Sequence, residues 1–203
     1  MNKKKVLAVL VIVLCLSVLG DVTMAYFTAK DTAHNVITTG NVDVELVEKQ
    51  DQDGILVDYP SEPIEGVMPG MEVSKIVSVN NVGSGDAWVR IRITRTLEMN
   101  PDAPEALPEG EEPDLELIQI DCDEDAWVLE GEWYYCRMPV APGKATAPLF
   151  KSVTFAPRMG NAYQGCTASI LVEAQAVQVK NNPLPASGKY AAIPGWPAEK
   201  TEK

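Results

Sequence analysis

From Val36 onward the chain alternates apolar and polar residues in short runs, the period of a strand with one dry face and one wet face. Val42, Val44 and Leu46 alternate with Asp43 and Glu45. In the run AWVRIRITRTL, Val89, Ile91 and Ile93 fall on one side and Trp88, Arg90, Arg92 and Thr94 on the other. Ile170, Val172, Ala174 and Ala176 form one side of a last strand over residues 169–179. Its Ala-rich half imitates a helix, but the β-branched run before it argues for strand. Further strands are predicted at 55–59, 72–80, 115–121, 127–129, 133–137 and 149–155. In the last of these Lys151 falls on the apolar side, which predicts an edge position.

Turn chemistry separates the runs. Asp51-Gln52-Asp53-Gly54, Met68-Pro69-Gly70, residues 80–86 and residues 139–143 carry the Gly, Pro, Asn and Asp that turns require. Residues 98–114 hold four prolines among many carboxylates, excluding strand and helix interior and predicting an exposed loop. Pro183, Pro185, Pro194 and Pro197 predict an extended, disordered tail over 181–203. About nine strands with Gly/Pro turns and no internal repeat predict a single all-β domain over 38–180, a jelly-roll-like antiparallel β-sandwich.

The first 25 residues read differently. Lys3, Lys4 and Lys5 precede a 15-residue apolar run, 6–20, which Asp21 ends; Thr23-Met24-Ala25 places a small residue at a cleavage position. The run is short of the ~20 residues that span a bilayer, so the segment is predicted to be an export signal cut between Ala25 and Tyr26. A retained membrane anchor is the alternative. A lipoprotein signal at Cys15 fails because Leu14 stands where a small residue is required. Residues 26–37 then form a polar, flexible lead into the domain. The chain carries a formal −12; removing Lys3, Lys4, Lys5 and Asp21 from 17 basic and 29 acidic residues leaves 14 and 28, a net −14. Such a surface repels nucleic acid and anionic lipid.

Little of the remaining chemistry points to catalysis. His34 is the single histidine; there is no His-Glu-x-x-His, no Gly-x-Ser-x-Gly and no Cys-x-x-Cys. No catalytic or cofactor-binding residue is assigned. Asp121, Asp123 and Asp125, with Glu132 eleven residues after the first, match the ligand spacing of a calcium loop. Ala126 occupies the position that needs Gly and the flanks read as strands, so a solvated turn is the plainer reading. Cys122 and Cys136 flank a predicted hairpin and are able to bridge, with Cys166 a core thiol; the alternative leaves all three reduced. Arg90 and Arg92 suggest an anion site, against a plainer reading as a solvated face paired with cross-strand carboxylates. Trp127, Trp133, Tyr134 and Tyr135 suggest a sugar platform, against ordinary strand packing. Residues 184–188, LPASG, imitate a sortase signal but lack the following apolar stretch.

As an ensemble the signal followed by AYFT, then TGNVDVELVE, PGMEVSKIVSVNNVGSGDAWVRIRI, WYYC, APGKATAPLFKSVTF and AQAVQ resembles the TasA/camelysin family over residues 3–179. The resemblance implies a jelly roll exported by a Gram-positive bacterium, processed by a SipW-type signal peptidase, without a membrane anchor afterwards, and secreted to the cell surface or biofilm matrix. For TasA-like members it implies self-association into fibres, in which the N-terminal segment of one subunit completes the sheet of the next. Carried over, the donor is Tyr26 to about Ile37, including Phe27 and Val36, and the acceptor is a groove at a sheet edge. Camelysin-like members imply two alternatives: a cell-surface metalloendopeptidase, from whose zinc motifs this chain departs, or a non-polymerising surface or spore-coat adhesin.

Overall fold

A computed structural model describes the backbone at 27–31, 35–39, 42–60 and 64–197, with side chains at 42–60 and 68–197. The predicted signal, its Ala25/Tyr26 junction and His34 lie outside these residues. Among the described residues twelve strands form two sheets facing one another, the all-β sandwich that the alternation predicts. One sheet has the order β5 (Ile64–Val67), β1 (Phe27–Asp31), β12 (Thr167–Gln178), β7 (Ala87–Glu98), β10 (Trp133–Cys136), β9 (Trp127–Glu130); β2 (Asn35–Thr39) also pairs with β12. The other runs β4 (Ile55–Asp58), β3 (Val44–Gln52), β6 (Glu72–Asn81), β11 (Phe150–Phe155), β8 (Ile118–Ile120). Pairing is antiparallel except where β1 and β2 lie parallel to β12.

The alternation decides which side chains enter the space between the sheets. Val73, Val77 and Val79 from β6 meet Val89 and Ile91 from β7 and Ala168, Ile170, Val172 and Ala174 from β12, with Trp127, Phe150 and Phe155 filling the remainder. Burying each large apolar side chain contributes roughly 1.5–3 kcal/mol. The β3–β4 hairpin shows the local rule at work. Its two-residue turn, Asp53-Gly54, has φ of 55° and 85°, and the Asp51 carboxylate accepts from Gly54 N at 2.6 Å.

An ion pair is buried on the core side of the second sheet. On β6, Lys75 follows Val73 and precedes Val77 on the buried face, and its Nζ lies 2.8 Å from Glu48 Oε2 on β3. Both side chains are at most 5% exposed, and the Tyr59 ring lies 3.8 Å from the ammonium. Removing a charge from water is costly, and the paired charge and the ring offset that cost.

The structure departs from the sequence pattern in several places: β5 forms in a stretch read as a loop, and residues 115–117, read as strand, make a 3-10 turn before β8. The strand carrying Lys151 is interior, not an edge: β11 lies between β6 and β8. A register shift between Phe150 and Ser152 lets Phe150 and Val153, three residues apart, both enter the core while Lys151 points to solvent. Over this stretch β6 takes three steps, from Val77 to Ser74, against two on β11, and the shift breaks the period of two that the edge prediction assumed. Residues 26–37, read as a flexible lead, contribute β1 and most of β2 to the sheet. The expected disordered tail is folded over 181–197: Ile193 is 3% exposed, packed on Trp88 and Val177. Its prolines exclude ladder hydrogen bonds but not side-chain packing, so they bend the segment across the sheet instead of freeing it.

Candidate functional site

The longest strand of the first sheet, β12, sets the geometry of the N-terminal segment. On one side it pairs with β7 at all twelve of its residues, from Thr167↔Glu98 to Gln178↔Ala87. Its other side is covered by β1, with register Thr28↔Thr167 to Asp31↔Ile170, and then by β2, from Asn35↔Glu173 to Thr39↔Val177. β1 also pairs on its far side with β5, antiparallel. β1 therefore fills a slot whose walls are β12 and β5, and it is the strand that joins β5 to the sheet. Proposed donor residues Phe27, Val36 and Ile37 all lie in this pair of strands; Tyr26 lies outside the described residues. The side of β12 they cover would otherwise be a twelve-residue edge on a strand bearing Ile170, Val172, Ala174 and Ala176, an edge of the kind that recruits further strands.

The outer face of the same sheet carries a second constellation. Arg90 on β7 is 6% exposed, not on a solvated face as its alternation with valine and isoleucine suggested. Its guanidinium donates to Gln175 Oε1 at 3.0 and 2.6 Å, to the Tyr135 hydroxyl at 3.2 Å and to the Pro197 carbonyl at 3.2 Å. It lies over the Trp133 ring, 4.1 Å from the ring centre, and over Trp196 at 4.7 Å. Arg92 keeps the expected arrangement, donating to Glu173 on the neighbouring strand at 2.6 Å. The aromatic cluster read in the sequence is thus divided. Trp133 and Tyr135 flank Arg90, whereas Trp127 belongs to the inter-sheet core, with Tyr134 packed against it. What the sequence hid was the cover, because Tyr190, Ile193 and Trp196 lie in a segment whose prolines signalled only an extended chain.

The acidic hairpin does not converge. Asp121 Oδ1 accepts from Ser152 N at 3.0 Å, and Asp123 Oδ1 accepts from Asp125 N and Ala126 N at 3.0 and 3.1 Å. Glu132, beyond β9, is 3.7 Å from Arg92. Asp121 holds the backbone of β11, Asp123 caps a turn and Glu132 pairs with an arginine, and among the described residues no group of three or more metal-ligating side chains is found. A cavity of about 410 Å³ opens beside the same hairpin, lined by Cys122, Asp123, Glu124, Trp127, Tyr134 and Arg137. Arg137 is turned onto the Glu124 carbonyl, and Cys122 shares a hydrogen bond with Tyr134. Burial raises the Cys122 thiol above its ordinary range, so it is a poor nucleophile.

Cys122, Cys136 and Cys166 are free thiols, so the bridge between Cys122 and Cys136 is not made. Cys136 is seated in the core on β10, and Cys122 packs against that core from the loop after β8. Burial raises Cys136 and pushes Cys166 up to about 12, keeping both protonated and inert. Among the described residues no helix is long and apolar enough to cross a membrane.

The fold and these two surfaces define an all-β sandwich whose one sheet is closed by its N-terminal strands and faced by the segment following β12. Comparison with protein-family models, curated proteins and solved structures finds no match to this chain.

Proposed function

We propose that this protein is an exported, non-enzymatic structural component of the cell surface or extracellular matrix of a Gram-positive bacterium, assembling into fibres by exchange of its N-terminal strands. The single observation that carries the reading is the slot between β5 and β12, filled by β1 and prolonged by β2. A slot that takes a strand from its own chain takes the identical strand from another at equal interaction energy. Main-chain hydrogen bonds supply the affinity and the alternate side chains the register. Exchange is heterologous: each subunit receives a segment on one site and offers its own elsewhere, so the contact propagates instead of closing. The resemblance to the TasA/camelysin family points the same way, and the predicted cut at Ala25/Tyr26 would free the segment after export. Since β2 pairs as far as Thr39, the exchanged segment is residues 26–39, two beyond the boundary drawn from sequence.

Electron microscopy of protein beginning at Tyr26 tests the reading, beside protein lacking residues 26–39 and the latter supplied with a synthetic 26–39 peptide. Fibres are expected from the first alone, and soluble, peptide-capped monomer from the third. Equal fibre formation with and without residues 26–39 would sink the proposal.

A further inference from the structure

The segment following β12 is bound to the outer face of the first sheet as a peptide ligand is bound to a receptor. Its Ile193, with Tyr190 and Trp196, packs on Trp88 of β7 and Val177 of β12 in a cluster separate from the inter-sheet core. None of its residues belongs to a ladder. The sheet grips its backbone by fixed groups. Both oxygens of the Glu130 carboxylate accept backbone N–H groups, from Tyr190 at 3.2 Å and Ala191 at 2.8 Å, and Arg90 donates to the Pro197 carbonyl. Trp88 Nε1 donates to the Asn182 carbonyl at 2.9 Å, and Tyr190 Oη to the Arg137 carbonyl at 3.0 Å. Specificity comes from Trp196, which completes the aromatic surround of Arg90 while its own Nε1 donates to the Tyr190 carbonyl at 3.0 Å.

Between β12 and the gripped turn at Tyr190–Ala192 runs a connection with two prolines and positive φ at Asn181 and Gly188. Residues 181–189, fully extended, reach about 30 Å at 3.3–3.6 Å per residue. That length lets the gripped part leave its own sheet and lie on a neighbour's. Its departure does not open the main core, and the same face on a second copy offers Glu130, Arg90 and the Arg137 carbonyl again.

We propose that the outer face around Arg90, Glu130 and Trp133 is a receptor site for residues 190–197 of a second copy of this chain, the intramolecular arrangement being its closed form. This link lies on the face of the sheet, so it is independent of the N-terminal strands and of the function proposed above. In the closed form the tethered segment competes at a high effective concentration, so a swap needs the closed form weakened or the protein concentrated.

The test uses two differently tagged full-length variants. Arg90→Met disables the receptor and keeps an intact segment; Trp196→Ala disables the segment and keeps the receptor. Mixed, the pair is expected to co-purify at least about tenfold above either variant mixed with its own differently tagged form, the latter giving the background from N-terminal exchange. A synthetic peptide of residues 181–197 is expected to bind the Trp196→Ala protein with a blue shift of the peptide's tryptophan. The same peptide bearing Trp196→Ala is expected to bind at least about tenfold more weakly. Folding of each variant is checked by circular dichroism. Folded variants that show no excess co-purification, or a folded Trp196→Ala protein that ignores the peptide, overturn the proposal. If a variant does not fold, wild-type chain carrying a protease site in place of Ala186-Ser187-Gly188 is cut and examined by native mass spectrometry. Retention of the severed fragment, and its exchange with added 181–197 peptide, supports the receptor; loss of the fragment on cutting, or failure to exchange, overturns it.

Discussion

Lys75→Met isolates what holds the buried ion pair inside the sandwich. In the native protein the 2.8 Å contact to Glu48 is flanked by the Tyr59 ring, and both charged side chains are essentially removed from water. Substituting the lysine removes the cation but leaves the Glu48 carboxylate between β3 and β6. Breaking one side of a buried pair costs about 3–5 kcal/mol, of which the ring contact accounts for up to about 2 kcal/mol. Replacing both residues by methionine removes the carboxylate together with the lysine, and a similar apolar volume returns stability to within about 1–2 kcal/mol of wild type. Urea unfolding followed by tryptophan fluorescence measures each arm of the cycle. At a urea dependence of about 2 kcal/mol per M, the Lys75→Met midpoint falls by about 1.5–2.5 M and the double variant recovers most of it. The reasoning is refuted if Lys75→Met costs less than about 1 kcal/mol. It is refuted equally if the double variant loses the sum of the two single losses, since the residues would then not be coupled.

Two further outcomes follow from other parts of the fold. Folding holds the Cys166 thiol neutral to about 12 against an ordinary value near 9, so its contribution is complete below pH 9 and is lost as pH rises toward 12. Unfolding titrations between pH 9 and 11 are expected to show wild type losing at most about 1.4 kcal/mol per pH unit more than Cys166→Ala; parallel slopes would contradict the buried, protonated thiol. Gly165 has φ of +73°, and a Cβ there would come 2.5 Å from Asn100 Nδ2. Gly165→Ala is expected to cost about 1–3 kcal/mol in thermal unfolding, from the left-handed backbone and from displacing Asn100, whose Oδ1 caps Asp102 N at 3.0 Å; an unchanged melting temperature would show that the loop yields freely.

The legible part of this protein was the part written in local periods. A strand with one buried face must alternate, so β6, β7 and β12 stood out with nearly their final bounds and β3 over its first residues only, and Gly and Asp marked the β3–β4 turn because few residues accept φ near 55–85°. Arg92 likewise met the cross-strand carboxylate its position predicted, since Glu173 is its direct partner on β12. Lys151 misled because the pairing of β11 with β6 shifts by one residue there, and register belongs to a pair of strands rather than to either sequence alone. The aspartates of the acidic hairpin have calcium-like spacing, yet backbone N–H groups engage Asp121 and Asp123. Spacing along the chain specifies neither direction nor competitor.

By itself, then, the sequence determined the fold class, the one-sided burial of most strands and the poverty of catalytic groups, because composition and a period of two act over a few residues. Tertiary structure alone decided three things: that β1 and β2 lie parallel along β12, that Lys75 faces Glu48 across two strands, and that residues 181–197 lie over Arg90. Each is a contact between segments 27 to more than 100 residues apart. No local propensity selects such a partner. The choice is made when the two sheets close, since only then does β12 have a side to cover, Glu48 a charge to neutralise, and Arg90 a ring missing from its surround.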